Sequence, residues 1–130
     1  MRATLARNPK AGAVHHALGL SLIRQHRATD ALAELRQAAD LEPDDPRFAY
    51  VYAVALHDTG DRLAALRTLD AAVAHHPYDR DLLMALVTYR QEAGDRSAAL
   101  THARVLRELE PENPQVKRLV QSLEAAPPGR

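Results

Sequence analysis

Seven histidines are the residues of this chain most able to do chemistry, since a neutral imidazole is a common metal ligand. Four of them form adjacent pairs, His15-His16 and His75-His76. Neighbours on a helix point about 100° apart, so neither pair closes on one ion. No HExxH run is present, and the absence of cysteine removes thiolate sites, disulfides, haem attachment and a thiol nucleophile. His75 and His76 fall where a helix should end, and an imidazolium there complements the helix dipole. No metal site is expected.

Nucleophilic and phosphate chemistry fare no better. The three serines, Ser21, Ser97 and Ser122, have no recognisable base partner, and GxSxG, GxGxxG and GxxxxGK[ST] are all missing. Carboxylates are plentiful, but a charge run on a helix is usually a solvated face. Asp61-Arg62 and Asp95-Arg96 read as turn and cap residues. The chain is expected to be no enzyme and to need no cofactor.

Charge sets further limits. Seventeen acidic residues balance seventeen basic ones, which gives no electrostatic reason to expect nucleic acid or an anionic membrane as partner. No apolar run approaches the roughly 18 residues that span a bilayer, and MRATLARNPK lacks the apolar stretch of a secretory signal. Compartment stays open between cytoplasm and periplasm. Fifteen of the seventeen basic residues are Arg, the others being Lys10 and Lys117. With so much Ala, that bias points to a GC-rich bacterial genome.

The elements that carry these residues repeat. GDRLAAL (Gly60–Leu66) returns thirty-four residues later as GDRSAAL (Gly94–Leu100). Pro43, Pro77 and Pro111 keep that spacing, as do Ala31, Ala65 and Ala99, and Leu32, Leu66 and Leu100. His26 stands in the first copy where Gly60 and Gly94 stand in the others. Each unit offers two amphipathic helical segments and a short turn. Gly60 and Gly94 can take the left-handed conformation that ends a helix cheaply. Asp61 and Asp95 then cap the second helix, and the prolines stop it. Ala31, Ala38, Ala65, Ala72 and Ala99 allow close helix approach. The spacing predicts helices over 11–24, 28–41, 45–58, 62–75, 79–92, 96–109 and 114–125.

A 34-residue period with this punctuation resembles the tetratricopeptide repeat (TPR), whose signature runs W-x2-L-G-x2-Y, A-x3-F, P. The first copy matches with His15, Leu18, Gly19, Leu22, Ala31, Leu35 and Pro43. The second matches with Ala49, Tyr52, Ala53, Leu56, Ala65, Leu69 and Pro77. The third reads Leu83, Leu86, Val87, Arg90, Ala99, Ala103 and Pro111. It departs at Val87, where a small residue is usual, and at Arg90, where an aromatic is usual. Looser or slightly shifted packing is expected there, with Arg90 snorkelling its head to water. The phrases FAYVYAVALHDTGDR and HPYDRDLLMAL also resemble TPR segments that trail multihaem cytochrome c proteins of proteobacteria, although this chain has no CxxCH.

The resemblance implies an all-α right-handed superhelix, an α-solenoid of three TPR helix-turn-helix repeats plus a C-terminal capping helix. The divisions are 1–10, the end of a truncated preceding helix; 11–44, 45–78 and 79–112, the repeats; 113–125, the cap; and 126–130, a disordered tail. Pro9 lies thirty-four residues before Pro43, so Met1 to Pro9 reads either as a native half-repeat or as the remnant of a longer protein; the longer protein is favoured. Asn113-Pro114 suits a cap and first turn, and Val116, Leu119, Val120 and Leu123 form one apolar stripe.

In such a solenoid the first helices line a concave surface. With Leu18, Gly19 and Leu22 taken as the packing face, the opposite face carries His16, Leu20 and Arg24, beside Ala13, Ala17 and Ile23. The second copy adds Arg47, Tyr50, Val51, Val54 and His57, with Asp58 next. The third adds Asp81, Met84 and Thr88, beside Ala85, Gln91 and Glu92. TPR domains that clamp acidic C-terminal tails present Lys and Asn one turn apart. Here that pair is His16 and Leu20, and Asp81 and Ala85 stand where a Lys and an Arg belong, so the carboxylate clamp is absent.

What remains is an apolar strip suited to an apolar or amphipathic peptide or helix. The expected function is a protein–protein interaction module and scaffold within a larger bacterial protein or complex, with a protein or peptide partner. A homo-oligomer through the groove or a terminal repeat uses the same surface. The rival readings are a structural spacer or oligomerisation element, and a small-ligand or metal-binding accessory.

Overall fold

The computed structural model describes residues 11–125. The expected helix end at 1–10 and the tail at 126–130 lie outside the described residues. Seven helices follow one another with no strand among the described residues: α1 (Ala11–Arg24), α2 (Ala28–Leu41), α3 (Pro46–Asp58), α4 (Arg62–His75), α5 (Arg80–Glu92), α6 (Arg96–Leu109) and α7 (Pro114–Ala125). Each bound agrees with the spacing-based expectation to within one residue. The differences fall at Asp45 and Asp79, which are caps: Asp45 accepts from the Arg47 N–H at 3.0 Å and Asp79 from the Leu82 N–H at 3.0 Å.

The repeated heptad forms the turn expected of it. Gly60 and Gly94 have φ of 96° and 82°, and His26 holds the same place at 60°. After each, the next amide reaches back five residues: Arg27 to Leu22 O at 2.9 Å, Asp61 to Leu56 O at 2.9 Å, Asp95 to Arg90 O at 2.8 Å. His26, Gly60 and Gly94 themselves donate to the carbonyls of Ile23, His57 and Gln91. These are three copies of the Schellman motif, which satisfies carbonyls a helix end would leave bare. Asp61 caps α4 through the Ala64 N–H at 3.2 Å, and Asp95 caps α6 through Ala98 at 3.1 Å. Asn113 does the same for α7, accepting from Gln115 and Val116. Arg27, the in-phase residue before α2, makes no side-chain cap and pairs with Asp30 at 2.7 Å.

The chain divides into two compact units, one ending at Ala72 and the other starting at Val73. In the first, α1 packs on α2 and α2 on α3. Ala31, Leu35, Ala38, Ala53, Ala65 and Leu69 are wholly buried. Gly19 sets the spacing of α1 and α2, because a Cβ there would sit 2.6 Å from Leu35 Cδ2. Leu18 departs from the expected packing face: about 100° round the helix from Gly19, it remains 46% exposed, whereas Leu22 is buried.

In the second unit α5 packs on α6 and α6 on α7. Leu83, Val87, Ala99, Ala103, Leu106, Val116, Val120 and Leu123 form one core. The looser packing expected at Val87 is not found, since that side chain is 1% exposed. Ala99 and Ala103 opposite are small enough to admit the larger residue. Arg90 is half-buried.

Candidate functional site

α1 and α3 of the first unit carry most of the residues selected from the sequence. Leu20, Tyr50, Val51 and Val54 are half-buried, an intermediate state for apolar side chains in a monomer. Arg24 and Arg47 are exposed. His57 is half-buried, with Nδ1 3.5 Å from Asp58 Oδ1. The selected residues of this unit are thus four half-buried apolar side chains, two exposed arginines, and a histidine in contact with a carboxylate.

The closest grouping is aromatic. His16 stacks on Phe48, ring centroids 4.5 Å apart and planes inclined by 24°. The Arg47 guanidinium carbon lies 5.3 Å from the Phe48 centroid, within cation–π range, and its Nη2 donates to Asp45 at 3.4 Å. Burial holds the His16 imidazole below its usual pKa, the nearby Arg47 charge pushes the same way, and Asp45 opposes them. His16 Nδ1 is buried without a hydrogen-bond partner, which fits a neutral ring. Its neighbour His15 turns instead to Glu34 on α2, at 2.8 Å. The adjacent histidines therefore point apart, and no group of three His, Asp or Glu among the described residues is placed to hold a metal ion.

Asp81, Met84 and Thr88 lie on α5 in the second unit. Asp81 and Thr88 are exposed, and Met84 packs half-buried against the core. Met84 also lines a cavity of about 230 Å³ with Arg80, Gln115, Val116 and Leu119. Arg80 is tied to Glu110 at 2.7 Å.

Sequence reasoning missed Phe48. It is the single Phe of the chain and is 3% exposed, as its in-phase residue Leu82 is buried, whereas the in-phase Val14 is 62% exposed, so phase alone does not mark it. Its further role as the platform for His16 has no signature in spacing.

Against known proteins, the family model described as tetratricopeptide repeat matches residues 22–86. The TPR repeat-containing protein PA4299 of Pseudomonas aeruginosa is 45% identical over 56 residues, 43% of this chain and 23% of that protein. The match therefore spans under a quarter of the relative's length.

Among solved structures, the Yersinia enterocolitica type III secretion chaperone SycD, in complex with a peptide of the translocator YopD, has a TM-score of 0.75 at 12% identity. The alignment covers 90% of this chain and 95% of that one. The first TPR of Spaghetti (RPAP3), bound to the HSP90 peptide SRMEEVD, has a TM-score of 0.73 at 18% identity, covering 87% and 92%. PcrH with the chaperone-binding region of PopD has a TM-score of 0.66 at 17% identity, covering 87% and 85%. At such identities the likeness is one of fold. With the 34-residue phase, three matching helix-end turns and a family match over half its length, the chain belongs to the tetratricopeptide repeat family.

Proposed function

We propose that this chain is a non-catalytic protein–protein interaction module that binds an apolar or amphipathic peptide or helix, as part of a larger bacterial protein or complex. The observation that carries the reading is the strip of Leu20, Tyr50, Val51 and Val54, apolar and only half covered, on the two first helices of one unit. His16, Arg24, Arg47 and His57 border it and supply direction. In the second unit Asp81, Met84 and Thr88 hold the same register and are proposed on that ground alone. The repeats are assigned to 11–44, 45–78 and 79–112, with 113–125 as the cap. Solved structures of the same fold carry peptides of a translocator and of HSP90, which supports a peptide-type partner. The multihaem cytochrome c resemblance is offered only as one candidate parent.

The test is selection of binders from a random peptide library on the purified chain, followed by affinities on variants. Tyr50→Ala should weaken a selected peptide by about 1–3 kcal/mol with the fold intact, as aromatic anchors in apolar patches do. Val54→Asp should weaken it further by placing a charge in the strip. Equal affinity for both variants overturns the strip, and a library that yields no binder favours the structural spacer.

A further inference from the structure

Beyond the strip, a pocket of about 290 Å³ opens between the ends of α1 and α3, lined by Ile23, His26, Ala28, Ala55, Asp58 and Thr59. Small-molecule pockets run from roughly 300 Å³ upward, so this one stands at the small end of that range and has room for a long side chain. Ile23 follows Leu20 by three residues and Asp58 follows Val54 by four, spacings that keep each pair on one helical face.

Of the polar lining, Asp58 and Thr59 offer acceptors, and the His26 ring offers one donor and one acceptor when neutral. α1 ends at Arg24 and α3 at Asp58, so two helix C-termini lie at the pocket, with the carbonyls of Leu22, Ile23, Leu56 and His57 already taken up by the turns. The Asp58 side chain is 70% exposed, and its Oδ1 lies 3.5 Å from His57 Nδ1, a contact that a ligand's charged head would share. Thr59 Oγ1 donates to Ala55 O at 2.9 Å and lies 3.0 Å from Leu56 O, which commits its one hydrogen and leaves only acceptor capacity outward. Arg27 in the turn is held by Asp30 at 2.7 Å, and neither it nor Arg24 lines the pocket. Ile23, 40% exposed, and Ala55 supply an apolar wall.

We infer that this pocket takes the basic side chain, arginine or lysine, of a docked peptide, with the aliphatic stem against Ile23 and Ala55 and the charged head on Asp58. His26 lines the pocket from the left-handed conformation that the other two turns give to glycine, φ 60° against 96° and 82°. The inference rests on the strip reading above, because it places the pocket at one end of the bound segment.

The probe is n-butylguanidinium, titrated into isotopically labelled protein and followed by amide chemical shifts, with n-butyrate as the anionic control. Shifts confined to Ile23, His26, Ala55 and Thr59, absent with n-butyrate, are the expected result. Asp58→Asn should weaken binding about ten- to a hundredfold, the loss that follows removal of a charged hydrogen-bond partner. No confined shifts, equal shifts with n-butyrate, or an unchanged affinity on Asp58→Asn overturns the pocket. The peptide selection fails or succeeds separately, at Tyr50 and Val54. Selected peptides that depend on those residues while the probe leaves Asp58 untouched retain the strip and remove the pocket.

Discussion

The His16 imidazole lies on the Phe48 ring at 4.5 Å, joining α1 to α3 across the first unit. The stack favours a neutral imidazole, since burial and then Arg47 both hold its pKa below 6.5. For a base whose folded pKa is lowered, the unfolded chain binds more protons in the window between the folded value and 6.5. Stability from this group is therefore complete above 6.5 and falls as pH drops through that window. The denaturation midpoint should decline on acidification from neutrality, and His16→Gln should flatten that part of the profile. A His16→Gln profile parallel to wild type through the window would detach the decline from this ring.

Gly19 faces Leu35 so closely that a Cβ would lie 2.6 Å from one methyl and 2.7 Å from Cγ. Leu35 is wholly buried and cannot swing out to make room. Gly19→Ala trades better helix propensity, about 1 kcal/mol, against overpacking of about 1–3 kcal/mol. The second effect should win, lowering the urea midpoint with the m-value unchanged. A raised midpoint would show that α1 shifts freely on α2.

Much of this was legible because repeat phase and helix punctuation are local. GDRLAAL and GDRSAAL announce a turn, a cap and a close-packing start in adjacent residues, and the helices follow within one position. The proposed strip was reached in the same way, by adding thirty-four to each position of the first copy. What escaped depends on three-dimensional neighbours. Leu18 fits the signature, yet its exposure is decided by whether a helix lies against it. The Val87 site closes because Ala99 and Ala103 sit opposite. The pocket at Ile23 and Asp58 and the stack on Phe48 arise from how α1 meets α3, which no single helix encodes.

The first turn is the least well fitted of the three. His26 occupies a left-handed position at φ 60°, and Arg27 cannot cap α2 as Asp61 and Asp95 cap α4 and α6. A side chain in that conformation costs roughly 1–2 kcal/mol, and a missing cap about 0.5–2 kcal/mol. His26→Gly and Arg27→Asp should each raise the unfolding midpoint. Their effects should combine less than additively, because the residues are adjacent. The Arg27→Asp gain is also reduced by loss of its exposed pair with Asp30, which is worth little. Two variants no more stable than wild type would mean the turn is relaxed as it stands.

Leu106 is wholly buried in the core of the second unit, where α6 meets both α5 and α7. Truncation to Ala removes apolar surface and leaves a cavity, at a cost of about 2–5 kcal/mol for a buried leucine. In a repeat protein, contacts run mainly between neighbouring elements, so the loss should be felt unevenly along the chain. Hydrogen exchange on Leu106→Ala should therefore accelerate first in α6 and α7, around Ala99, Ala103, Val116 and Val120. The amides of α1 and α2 around Leu22 and Leu35 should keep their protection until global unfolding dominates. Equal acceleration in α1 and α6 would mean that the chain opens as one cooperative block, and local repeat stability would have to be abandoned.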